Sequence, residues 1–125
     1  MVTGKPDPAA VFSVLRGVLT RHASRLDVQH DAPGAYTLNA AYSEKWKKVI
    51  LFGSVQKMKN YISYHLFPVY MFADLLDSIS PELRKRMQGK NCFNFTSVSE
   101  VQRVELEQLT DRAFRRFEAE GLIGK

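Results

Sequence analysis

The apolar residues of this chain change period at Arg25. Before it, Val11, Phe12, Val14, Leu15, Val18 and Leu19 recur at helical spacing; after it, Leu26, Val28 and His30 alternate with polar neighbours. A stripe of period 3.6 cannot be buried as a strand, nor one of period 2 as a helix, so the fold must combine both. Asp7 is a good N-cap and Pro8 stands where a missing N–H costs nothing, which predicts a helix over about 8–24. Its polar face carries Ser13, Arg16, Thr20, Arg21 and Arg25, with almost no acid. Asp31-Ala32-Pro33-Gly34 reads as a turn, and Tyr36 and Leu38 resume the alternation, giving a hairpin.

Two further strands are predicted at about 46–56 (Trp46, Val49, Ile50, Leu51, Phe52, Val55) and 60–67, joined by a polar turn at Lys57-Met58-Lys59-Asn60. In the second, Ile62, Tyr64 and Leu66 fall on one side and Tyr61, Ser63, His65 and Phe67 on the other. Neither side is plainly polar, so a helix or a ligand groove is expected near the second face. Gly53 marks a bulge or a close backbone approach. Pro68 ends the strand, a short helix follows at about 72–79, and Ser80-Pro81-Glu82 starts another that runs to about Met87, with Gly89 as its stop. Asn91 to Phe95 alternates as a short last strand. Ser97 or Ser99 caps a final helix over about 99–120, whose stripe is Leu106, Leu109, Ala113, Phe114 and Phe117. The order predicts one α+β domain over 1–125, an antiparallel sheet of about five strands with its helices packed on it.

The chain has 18 Lys and Arg against 13 Asp and Glu, a net charge of +5, which favours anionic partners. Its single cysteine, Cys92, cannot form an internal disulfide and has no zinc-ligand spacing around it, which fits a cytoplasmic setting. Residues 1–10 lack the unbroken apolar run of an export signal, and the longest apolar stretch, Leu66 to Ala73, is under half of a membrane span. No phosphate-loop, dinucleotide-binding, serine-hydrolase or zinc-protease pattern occurs.

The blocks Tyr61-Ile62-Ser63-Tyr64-His65-Leu66-Phe67-Pro68-Val69-Tyr70, Ile79-Ser80-Pro81-Glu82-Leu83 and Arg86-Met87-Gln88-Gly89-Lys90-Asn91-Cys92-Phe93-Asn94-Phe95 resemble the YdhG-like family of small bacterial domains of unknown function. The resemblance is tight over about 35 residues and looser from Val49 to Phe117. It implies a compact α+β domain and, because some members have been described as frataxin-like iron chaperones, iron as a possible cargo. Iron of that kind needs exposed carboxylates. The matching blocks carry few, and the first helix has only Asp7 at its cap; the richest acidic stretch is the last helix, where Glu107 and Asp111 stand four apart among arginines.

Three sets of residues are candidates for function. His65, Tyr64, Cys92 and Lys90 fall in the family-like blocks and are the expected lining of a ligand pocket at a sheet face or edge groove. Within that set His65 could activate the Cys92 thiol, which would make a small cysteine-dependent enzyme. Lys45, Trp46, Lys47 and Lys48, with Arg84, Lys85 and Arg86, form two basic groups suited to a polyanion or nucleic acid, Trp46 being able to stack on a base. No iron ligands are assigned; Glu107 and Asp111 are the carboxylates whose neutralisation would test an iron role. His22 and His30 are expected as surface residues. The leading expectation is a non-enzymatic binding domain for an unidentified small ligand or protein; its oligomeric state is left open.

Overall fold

The computed structural model describes residues 7–124. The expectations for residues 1–6, including the absence of an export signal, lie outside it.

Helix α1 spans Pro8–Thr20, with the Asp7 carboxylate accepting from the Ala9 N–H at its start. It ends four residues earlier than the apolar spacing predicts. A single 3-10 turn, Ala23–Arg25, redirects the chain so that Leu26 enters the core at 3% exposure. Strands β1 (Asp27–Ala32), β2 (Ala35–Ser43), β3 (Lys48–Lys57) and β4 (Ile62–Leu66) form an antiparallel meander. Trp46, expected inside a strand, instead stands in the turn between β2 and β3.

Pro68 does more than end β4. It sits in the first turn of a helix, α2, at Phe67–Met71, where its fixed φ is already helical. The 72–79 helix is a run of 3-10 turns, Ala73–Ser78, and the next helix, α3, is only Pro81–Arg84, capped by the Ser80 hydroxyl as expected. Strand β5, Met87–Gln88, is too short to show any alternation and makes a sixth strand where about five are expected. Strand β6 is Cys92–Phe95, and helix α4 is Glu100–Ala119, which opens with Ser99 and Gln102 capping each other's backbone N–H groups.

The strand order is β1-β2-β3-β4-β6-β5, antiparallel throughout. Helix α1 packs on β3 and β4 and touches α4, which in turn meets α2. The fold is therefore α+β, with α1 and α4 packed together on the sheet. Tyr36, Val55, Tyr64 and Phe93 lie side by side across β2, β3, β4 and β6 and are buried under the helices. One residue away on each strand, Thr37, Ser54, His65 and Cys92 form the neighbouring row on the opposite face. Gly53 meets both of its expectations. The register of β2 and β3 shifts beside it, and a Cβ there would lie 2.9 Å from Leu19 Cδ2 and 3.0 Å from the His65 carbonyl oxygen. Among the described residues no helix is long and apolar enough to cross a membrane.

Candidate functional site

Two places on this scaffold bring functional groups together. The first follows from where β4 stops. Leu66 pairs with Gly53, so the first part of β3, from Lys48 to Phe52, has no β4 neighbour. Helix α2 packs against β3 there. Between them is a cavity of about 210 Å³ lined by Trp46, Lys48, Ile50, Phe67, Tyr70 and Met71. Trp46 is held at its mouth by the turn before β3, in which Ser43 Oγ accepts from the Trp46 N–H and Lys47 adopts a φ of 59°. The Tyr70 ring stacks on Phe67, with centroids 5.5 Å apart.

Tyr70 also lines a second, wider cavity of about 610 Å³ on its other side, with Val69, Ala73, Leu76, Arg84, Met87, Gly89 and Lys90. Lys90 Nζ lies 5.9 Å from the Tyr70 ring centre, and Lys45 Nζ the same distance from Trp46, both within cation–π range. The Arg84 guanidinium donates to the Leu76 carbonyl at 2.6 Å, which fixes its position and leaves its charge uncompensated. Among the described residues Lys45, Lys48, Arg84 and Lys90 make no ion pair, and no carboxylate lines either of these two cavities. Lys47 is the exception in the basic group, paired with Glu44 at 3.6 Å. Lys45 borders a third cavity, beyond Trp46, that includes Glu120. Arg86 is half-buried and lines none of the three.

The second place is on the sheet face opposite the helices. His65 and Cys92 are cross-strand neighbours, and Cys92 Sγ lies 2.7 Å from His65 Nδ1. The Asn91 side-chain amide reaches the other ring nitrogen at 2.8 Å. With Asn91 Nδ2 donating to Nε2, the proton of the neutral ring is on Nδ1 and points at the sulfur. Burial raises the Cys92 thiol above its ordinary value, partly opposed by a hydrogen bond from Ser63, and burial lowers His65. Thiol and imidazole are thus held as a neutral pair. Tyr64 does not join them. Its ring is on the helix side, fully buried, with its hydroxyl 2.6 Å from Thr110 Oγ1 of α4, and burial raises its pKa. Adjacent strand residues point to opposite faces, so His65 and Tyr64 cannot share a pocket.

The carboxylates of α4 are engaged. Glu107 pairs with Arg21 at 3.2 Å and with Arg103; Asp111 takes Arg21 at 3.1 Å and His22 at 2.8 Å. His22, expected at the surface, is instead a strut between α1 and α4, its ring stacked 4.6 Å from Phe114. His30 is exposed, as expected.

Tyr70, Phe67, Met71 and Asn91 are the site residues that sequence reasoning missed. Treating Pro68 only as a strand terminator hid the helix on which Tyr70 stands, although a proline suits a first helical turn equally well. Comparison with protein-family models, with curated proteins and with solved structures finds no match.

Proposed function

We propose that this chain is a cytoplasmic binding domain that takes an anionic ligand carrying a flat ring, held in the groove along α2. Tyr70 is the observation that carries this reading. Because it lines both cavities, Lys48 and Trp46 from one end of a hairpin meet Arg84 from the end of α3 and Lys90 from the turn between β5 and β6 around a single ring. Exposed aromatic faces beside unpaired cations suit a ligand with a π-system and negative charge. The test is titration of Trp46 fluorescence with a nucleoside triphosphate and, separately, with inorganic phosphate. The nucleotide is expected to change the signal and phosphate alone to do so weakly, with the response lost in Tyr70→Ala and in Lys48→Glu with Lys90→Glu. A nucleotide that leaves Trp46 unchanged, or binds those variants as well as the parent, would overturn the reading.

Cys92, His65 and Asn91 favour a second reading, a cysteine-dependent reaction in which His65 takes its other tautomer, with the Asn91 amide turned so that its oxygen accepts from Nε2–H, and the bare Nδ1 takes the thiol proton as Cys92 attacks. It requires Cys92 to alkylate faster than a free thiol and to slow in His65→Gln; equal rates would sink it. Iron binding has less support, since Glu107 and Asp111 are already paired with Arg21 and Arg103, and Asp111 is hydrogen-bonded to His22. Ferrous iron that binds the parent under anaerobic conditions but not Glu107→Gln with Asp111→Asn would restore it.

A further inference from the structure

The order of charge and ring along the α2 groove narrows the ligand further. Lys48 stands at one end, with Trp46 and Tyr70 sharing the small cavity beside it; beyond Tyr70, Lys90 and Arg84 stand at the other end. The sequence of groups is cation, ring, cation. A mononucleotide carries its charge on one side of its base and would leave one set of cations unanswered. A strand places a phosphate on both sides of every base. The 210 Å³ cavity is smaller than the roughly 300 Å³ at which pockets for whole drug-sized ligands begin, so it accepts one planar ring system and leaves the backbone outside. The wider, more open cavity around Lys90 and Arg84 is where that backbone would run. A duplex keeps its bases stacked within itself and would have no use for rings that are 51% and 55% exposed at Trp46 and Tyr70.

Resting on the reading above, we infer that the α2 groove binds single-stranded nucleic acid, with one base stacked on Tyr70 beside Trp46 and its flanking phosphates on Lys48 and on Lys90 with Arg84. The surplus of +5 over the whole chain adds a long-range attraction of the same sign.

The test uses the whole chain and reads Trp46 fluorescence during titration at low salt with an oligodeoxythymidylate of about eight nucleotides, with deoxythymidine monophosphate, with a duplex of equal length and with polyglutamate. The single strand is expected to bind at least about tenfold more tightly than the monophosphate or the duplex and to weaken steeply with added salt. Tyr70→Ala and Trp46→Ala, both at exposed rings, should each weaken it by about fivefold or more, within the range that one stacked base contributes; for Trp46→Ala the readout is anisotropy of a labelled strand. Equal affinity for monophosphate and strand would overturn the strand inference while leaving the ringed-anion groove standing. Polyglutamate binding as tightly as the strand would replace nucleic acid by an acidic protein. Strand binding unaffected by Tyr70→Ala and by Lys48→Glu with Lys90→Glu would remove the groove itself, and with it both readings.

Discussion

The seam between α1 and α4 and the groove along α2 handle positive charge in opposite ways. In the seam and on the faces beside it, arginines meet carboxylates: Arg16 with Asp31, Arg21 with Glu107 and Asp111, Arg103 with Glu100 and Glu107, Arg116 with Asp74. In the groove, Lys48, Arg84 and Lys90 have no such partner among the described residues, and rings line the cavities with them. The net +5 of the chain is therefore not spread evenly. The arginines of the seam are neutralised where they stand, whereas Lys48, Arg84 and Lys90 stand without a carboxylate beside the edge where β4 ends.

That contrast predicts separable effects on stability and binding. The largest loss of stability is expected from Gly53→Ala. The new methyl would press on Leu19 of α1 and on the His65 carbonyl, costing about 1–3 kcal/mol as overpacking does, seen as a lower urea midpoint with ligand binding retained in what still folds. Tyr64→Phe comes next. It leaves the fully buried Thr110 hydroxyl without its partner and should cost about 1–2 kcal/mol by the same measurement.

A smaller effect is expected on lowering pH. His65 is depressed in the fold, so below its ordinary value of about 6.5 the unfolded chain binds the proton first and stability falls; the loss levels off once pH is below the folded value too. The urea midpoint should therefore drop as pH falls from 7 through 6, and His65→Gln should remove that part of the slope. Cys92 has the opposite sign: its raised thiol loses stability as pH climbs past the ordinary thiol range, and Cys92→Ser should flatten that limb. The smallest effect belongs to the groove. Lys48→Glu with Lys90→Glu, at exposed side chains with no ion pair among the described residues, should leave the unfolding free energy within about 0.5 kcal/mol while shortening retention on an immobilised polyanion. A large stability loss there would mean that the groove is part of the fold's own packing, and the contrast with the seam would collapse.

The sequence by itself determined the longer elements and their faces. Period, caps and turn residues locate α1, the four-strand meander, β6 and α4, because each depends on residues within a turn or a strand of one another: Asp7 and Ser99 on the N–H groups just ahead, Ile62, Tyr64 and Leu66 on a shared side. The same local logic placed Cys92 and His65 on strands, yet it could not say which strands pair. Only the tertiary structure decided that β4 lies between β3 and β6, which sets His65 against Cys92 and sends Tyr64 to Thr110 on the other side of the sheet. It also decided that β4 stops at Leu66, opposite Gly53 of β3, leaving the edge that α2 fills and drawing Trp46 and Lys48 toward Tyr70, Arg84 and Lys90. Charge and aromatic content are additive along a chain, so their totals can be read from composition. Where they converge depends on strand order and strand length, which are set by the burial of the whole core at once.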